Sequence, residues 1–123
     1  MPTHVVAVVD DDRSVRRALT RLLQSADLRV LAYASATEFL DTGLSSGLDC
    51  VILDIHLGGM SGLELLSQLR RSGCSLPILI ITAHDDAQAR EAAADAGCTA
   101  YLRKPLDAKI LLEEVATAIK RAA

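Results

Sequence analysis

The stretch Leu48-Asp49-Cys50-Val51-Ile52-Leu53-Asp54 limits what this chain can fold into more than any other. From Cys50 to Leu53 it is apolar without polar alternation, and it ends abruptly in a carboxylate. A strand with apolar side chains on both faces needs cover on both, as in a parallel sheet enclosed by helices. The following Ile55-His56-Leu57-Gly58-Gly59-Met60-Ser61-Gly62 is punctuated by glycine and reads as a loop. Asp54 is therefore expected at the carboxyl end of a central strand, the edge where open α/β sheets bind ligands. Alone, an Asp there could simply cap the next turn, so the rest of the chain has to decide.

The remainder alternates. Val5 to Val9 is a second β-branched run and ends in Asp10-Asp11-Asp12. Val15, Ala18, Leu19, Leu22, Leu23 and Ala26 then recur at helical spacing and predict one buried stripe, with Arg13, Arg16, Arg17 and Arg21 outside it. Leu28 to Tyr33 reads as a short strand nearer an edge. Ser35-Ala36-Thr37-Glu38 has the form of a capping box opening a short helix that stops before Gly47. After the loop, Leu63, Leu65, Leu66 and Leu69 mark a helix closed by Arg70, Arg71 and Gly73. Pro77 starts the strand Ile78 to Ile81, with Thr82 at its end, and Asp85 or Asp86 can cap an Ala-rich helix closed by Gly97. Thr99 to Leu102 predicts a fifth strand before Arg103-Lys104-Pro105. Asp107 then caps a last helix with Ile110, Leu111, Val115, Ala118 and Ile119 inward. Strand and helix thus alternate through five units, which predicts an α/β fold: a doubly wound parallel sheet with right-handed crossovers and helices on both faces.

The totals exclude several classes. With 123 residues, the chain has the size of one domain, able to bury roughly two thirds of its unfolded surface. At 50% hydrophobic and 24% charged it is neither disordered nor fibrous. A net charge of −3, with Arg spread over helices, argues against direct nucleic-acid binding. No apolar run approaches the roughly 18 residues of a membrane span. Met1-Pro2-Thr3-His4 leads into the first strand without a basic and apolar leader, so a cytoplasmic location is expected. Cys50, Cys74 and Cys98 are odd in number and lack metal-ligand spacing, which predicts reduced thiols in or near the core.

Functional side chains stand where strands end: Asp10 and Asp11 after the first, Asp54 after the third, Thr82 after the fourth and Lys104 after the fifth. In a flavodoxin-like strand order, 2-1-3-4-5, the first and third strands are neighbours and the chain connections part between them. The carboxylates would then share one crevice, with Thr82 and Lys104 on its far wall. Clustered carboxylates repel one another unless a cation intervenes. Hard oxygen ligands suit Mg²⁺, which typically takes one or two carboxylates, waters and a phosphate. A carboxylate is also an acceptable nucleophile for forming an acyl phosphate. Each piece has an ordinary explanation, since acidic residues before a helix are common caps and Lys-Pro is a common loop dipeptide. Their joint occurrence at successive strand ends points to phosphoryl transfer.

Over essentially its full length the sequence resembles the receiver domain of bacterial two-component response regulators. Val8-Val9-Asp10-Asp11-Asp12, Leu53-Asp54, Met60-Ser61-Gly62, Ile80-Ile81-Thr82-Ala83 and Lys104-Pro105 carry the likeness, in order and with the usual spacing. Ser35-Ala36 with Phe39-Leu40, Met60 to Leu66 and Thr82-Ala83-His84 are most similar to the FixJ type. The resemblance implies that Asp54 accepts a phosphoryl group from a histidine kinase or histidine phosphotransfer protein. It implies Mg²⁺ (for which Mn²⁺ could substitute) bound directly by Asp11 and Asp54, by Asp10 through water, and by the backbone carbonyl of His56. It assigns Thr82 and Lys104 to the phosphoryl group, makes Tyr101 the aromatic partner of Thr82 in a switch, and expects a cis Lys104-Pro105 bond. A phosphorylation-dependent homodimer through the fourth helix, fifth strand and fifth helix is a further implication.

Two positions depart from the family pattern. Gly58 replaces the usual proline, which frees the loop after Asp54. His56, two residues past Asp54, is an uncommon occupant, and His84 lies two past Thr82. Both rings either point simply into solvent or flank the path of a water attacking the acyl phosphate and so tune its lifetime. A small Mg²⁺-dependent phosphatase with an aspartyl intermediate is the second reading, but it would carry an acid where His56 stands. A receiver that has lost phosphorylation and acts as a constitutive interaction module is the third. Residues 1–123 are expected to form the receiver alone, without an output domain in this chain, and to switch state rather than turn over a substrate.

Overall fold

The computed structural model describes residues 3–45 and 47–122, the side chain of Ser45 excepted. The expected lead-in at Met1 and Pro2 lies outside the described residues. The elements are β1 (Val5–Val9), α1 (Arg13–Ser25), β2 (Arg29–Tyr33), α2 (Ala36–Thr42), β3 (Cys50–Asp54), α3 (Gly62–Arg71), β4 (Ile78–Thr82), α4 (Ala87–Ala96), β5 (Ala100–Arg103) and α5 (Ala108–Ala122). A 3-10 turn, Gly43–Ser45, follows α2. All strand pairs are parallel and the order is β2-β1-β3-β4-β5, so the flavodoxin-like expectation holds.

Burial explains why the β-branched runs become the central strands. Every residue of β1, β3 and β4 is buried, as expected of strands covered on both faces. The two-residue period of the strands divides their side chains between two cores. Ala7, Val9, Val51, Leu53, Ile78 and Ile80 pack with Phe39, Leu65, Leu66, Leu69 and Ala93 of α2, α3 and α4. Val6, Val8, Cys50, Ile52, Leu79 and Ile81 pack instead with Leu19 and Leu23 of α1 and with Leu111, Val115, Ala118 and Ile119 of α5. Cys50 is buried, while Cys74 and Cys98 are half-buried, and all three are free. Burial pushes the Cys50 thiol up to about 12, which leaves it unreactive.

Side-chain caps set the helix starts. Asp12, Ser35, Ser61 and Asp86 accept N–H groups of the first turns of α1 to α4, and Asp107 accepts the N–H of Ile110. Asp86 therefore caps α4, resolving the choice between Asp85 and Asp86. The capping box at α2 is only half regular: Ser35 accepts from Glu38 N at 3.1 Å, but Glu38 reaches past Ser35 to accept from Ala34 N at 3.4 Å. Arg70 donates to the carbonyls of Cys74, Leu76 and Gly97, and so ties the end of α3 to the turns entering β4 and β5.

Some apolar expectations fail. Ile110 is 48% exposed rather than inward, because one step before Leu111 turns it about 100° off the stripe that faces the sheet. Ala18 is exposed for the same reason relative to Leu19, and Ala26 caps α1 beyond its last turn. The strands β2 and β5 each begin one residue later than their apolar patterns suggest, at Arg29 and Ala100.

The loop after β3 returns tightly onto the strand. Gly62 N donates to the Ile55 carbonyl at 2.8 Å. A Cβ at Gly62 would overlap the carbonyl oxygen of Asp54 and lie 2.8 Å from the Ile55 Cα, backbone atoms that cannot step aside. Gly58 has nothing within 4 Å of such a Cβ. Gly62→Ala should therefore destabilise the protein by about 2 kcal/mol or more, whereas Gly58→Ala should stay within about 0.5 kcal/mol of wild type. Urea unfolding of the two variants checks this; equal stabilities would refute the close approach.

Candidate functional site

Parallel register brings the strand ends together. Val9 lies opposite Leu53, which puts Asp10 beside Asp54, and Thr82 is one step further along β4, since Asp54 lies opposite Ile81. Thr82 in turn lies opposite Arg103, the residue before Lys104. Asp10, Asp11, Asp54 and Lys104 thus converge, with Lys104 between the acids and not on a far wall, while Thr82 stands one step along on β4.

Lys104 is the centre of this cluster. Its Nζ lies 3.0 Å from Asp10 Oδ2 and 3.1 Å from Asp54 Oδ2. The Lys104 side chain is 19% exposed, and those of Asp10 and Asp54 are 0% and 5%. The other oxygens are also engaged: Asp10 Oδ1 accepts from Asp12 N at 2.8 Å, and Asp54 Oδ1 accepts from His56 N at 3.1 Å. Burial raises the pKa of Asp10, offset in part by the Asp12 N–H and by Lys104, while the Asp54 charge adds to the rise. Burial alone would lower Lys104, but its hydrogen bonds to both carboxylates outweigh that and hold its ammonium above the ordinary value. The lysine, which bridges the two acids, is therefore charged at neutral pH.

Asp11 completes the acidic group from the solvent side. One carboxylate oxygen each from Asp10, Asp11 and Asp54 lie within 4.8 Å of one another. Three hard oxygen donors, two buried and one exposed, suit a divalent cation of the Mg²⁺ class with open positions toward water. With Lys104 at its edge, the group can hold a phosphoryl moiety against a carboxylate nucleophile and neutralise its charge.

Thr82 is buried, but its hydroxyl is turned to its own loop. The Oγ1 accepts from His84 N at 3.0 Å and faces the His84 carbonyl at 3.3 Å. The rings of His56 and His84 are exposed and meet edge to face, with centroids 5.0 Å apart and planes at 87°. The two loops carrying them are thereby in contact beyond Asp54 and Thr82. Tyr101 is half-buried on β5, with the Arg90 guanidinium 5.3 Å from its ring centroid. The Lys104-Pro105 bond is cis, as expected.

Sequence reasoning missed two contributors. Arg16 donates from Nη1 to the Asp10 carbonyl at 2.8 Å, pinning the turn that carries the acids. Its signal was present, since a helical side chain one turn past the Asp12 cap leans back toward the helix start. Asp85, 13% exposed, accepts from Arg90 at 2.7 Å and lies 3.9 Å from Arg103. That cluster joins α4 to β5 and no local pattern announces it.

Comparison with known proteins agrees with this geometry. The family model described as the response regulator receiver domain matches residues 6–116. Nodulation protein W of Bradyrhizobium diazoefficiens is 38% identical over 117 residues, which cover 95% of this chain and 52% of that protein. Transcriptional regulatory protein FixJ of Azorhizobium caulinodans is 35% identical over 123 residues, covering 100% of this chain and 57% of that one. The crystal structure of FixJ-N superposes with a TM-score of 0.88 at 28% identity, covering 98% of this chain and 96% of that one. The chain spans about half the length of the curated relatives it matches. Among the described residues no helix is long and apolar enough to cross a membrane. With fold, family model and relatives in agreement, the chain belongs to the response regulator receiver domains, the phosphoacceptor switches of two-component phosphorelay signalling.

Proposed function

We propose that Asp54 is the phosphoryl acceptor and that the donor is a phosphohistidine on a histidine kinase or histidine phosphotransfer protein. The observation that carries this reading is the nearly buried Asp54 carboxylate, flanked by Asp10 and Asp11 and bridged to Asp10 by Lys104. In the transfer, an Asp54 oxygen attacks phosphorus as the nitrogen–phosphorus bond of the donor breaks. The bonding pair returns to the imidazole, which takes up a proton, and Asp54 is left as an acyl phosphate. Lys104 is placed to exchange a carboxylate for a phosphoryl oxygen as charge builds there. Asp11 and Asp54 directly, Asp10 through water and the His56 carbonyl would hold Mg²⁺ (or Mn²⁺). Bound there, such an ion supplies charge neutralisation between carboxylates and phosphoryl oxygens.

On this reading the chain catalyses its own phosphorylation and its slow dephosphorylation, and it acts in the cytoplasm as a receiver unit spanning residues 1–123. The aspartyl phosphatase alternative is disfavoured by His56 at the position where that class carries an acid. Thr82 and Tyr101 convert phosphorylation into a changed surface on α4, β5 and α5, where the exposed Ile110 offers an apolar contact for a second phosphorylated copy. His56 and His84, packed ring against ring, order the water that later removes the group.

Acetyl phosphate with Mg²⁺ should add one phosphoryl group at Asp54, read by intact mass. Asp54→Asn should abolish labelling, and Asp11→Ala should remove its Mg²⁺ dependence together with most of the rate. Thr82→Ala should still label but lose most of the Tyr101 resonance shift and of any self-association seen by sedimentation. Full labelling of Asp54→Asn would sink the assignment.

The lifetime of the acyl phosphate gives a second expectation. Losing an imidazole that orders the attacking water should lengthen it roughly fivefold, equivalent to about 1 kcal/mol in barrier. Decay of phosphorylated His56→Ala and His84→Ala, followed by mass, checks this. Lifetimes within twofold of wild type in both variants would make the pair bystanders.

A further inference from the structure

Beside Tyr101 lies a charged cluster to which the phosphoryl chemistry gives no task. The carboxylate of Asp85, in the loop between β4 and α4, accepts from Arg90 at 2.7 Å and sits 3.9 Å from Arg103. Arg90 in turn lies over the Tyr101 ring, 5.3 Å from guanidinium carbon to centroid, a cation–π contact. Two buried polar atoms here, Asp85 Oδ1 and the Tyr101 hydroxyl, make no hydrogen bond to any other group and are within reach of each other. Burial, the charge of Asp85 and a side-chain hydrogen bond to it all raise the pKa of Tyr101.

From this arrangement we infer that Asp85 and Arg90 form a latch that positions Tyr101 against α4, and that Thr82 controls it through their shared loop. The inference rests on the reading of Thr82 and Tyr101 as the switch pair. Thr82 Oγ1 accepts the N–H of His84, the residue immediately before Asp85. A phosphoryl group on Asp54 would take that hydroxyl's proton from the His84 carbonyl and, as the Thr82 side chain rotates toward it, the oxygen from the His84 N–H as well. Recruiting it frees the His84 N–H, and the segment carrying Asp85 loses its anchor to β4. Asp85 then no longer holds Arg90 over the ring, and the Tyr101 side chain becomes free to change rotamer. Asp85 and Arg90 are thus positioning residues that act on the output surface without contacting the reacting atoms. The bridge from Arg90 to Asp85 is exposed on one side, so its part is to bias two packings and not to add much stability.

The test reads Tyr101 in unphosphorylated protein, where no phosphoryl reference is needed. Three-bond couplings give its side-chain rotamer populations in wild type, Asp85→Asn, Arg90→Ala and Arg90→Lys. Wild type should show one dominant rotamer. Asp85→Asn and Arg90→Ala should show averaging, with Arg90→Lys in between because it keeps the charge but not the planar stack. Labelling by acetyl phosphate should quicken in the first two variants, by up to about fivefold. A single unchanged rotamer in both Asp85→Asn and Arg90→Ala would overturn the latch, and normal labelling of Asp54 in the same samples would leave the phosphoacceptor reading standing. Rotamer averaging without any labelling of wild-type Asp54 would do the reverse.

Discussion

Two carboxylates at the ends of neighbouring strands share one lysine, and the rest of the site follows from that bridge. Asp10 and Asp54 are nearly or wholly removed from water, and each would be costly to keep ionised alone. Removing one partner of such a buried pair typically destabilises a protein by about 3 to 5 kcal/mol, far more than a surface ion pair is worth. Backbone N–H groups of Asp12 and His56 serve the remaining carboxylate oxygens, so the group is paired at every oxygen described. The fold meets this requirement by geometry alone. Parallel pairing of β1, β3, β4 and β5 lines up their carboxyl ends, and the turn after β5 brings Lys104 back across the edge.

How far the sequence could be read varies with the range of the cause. The strands β1, β3 and β4 were legible because complete burial imposes an unbroken apolar run, and the helix starts were legible because a cap is a local chemical event. Order 2-1-3-4-5 followed from alternation together with the likeness to a known family. What stayed hidden was settled by tertiary placement. Ile110 looks apolar and inward in a list of residues, but its angle on α5 relative to Leu111 decides otherwise. Glu38 satisfies Ala34 and not Ser35, a matter of one chain turn that spacing does not encode. The ring contact between His56 and His84 was anticipated only as shared proximity, and its edge-to-face form depends on two loops meeting. Asp85, Arg90 and Arg103 escape sequence reading because their association is made between a loop, a helix and a strand end.

The structure also shows where freedom remains. The Asp10 and Asp54 carboxylates are held by two partners each, a backbone N–H and Lys104, whereas Thr82 spends its hydroxyl on a two-residue turn. Such a bond is local and exchangeable, so a stronger acceptor nearby can take the hydroxyl over. A paired acidic centre thus stands beside a threonine whose hydroxyl is committed only to its own loop.

One lysine does not balance three carboxylates, and the excess negative charge is what a divalent cation would answer. A cation held by these carboxylates would compete with Lys104 for their oxygens. The decisive measurement is the affinity for Mg²⁺, by titration calorimetry, of wild-type protein and of Lys104→Met, with folding of the variant verified by circular dichroism. Removing the ammonium takes away a repelling charge and frees an oxygen on each of Asp10 and Asp54, so the account predicts several-fold tighter Mg²⁺ binding in Lys104→Met. Unchanged or weaker binding in a folded variant would contradict it.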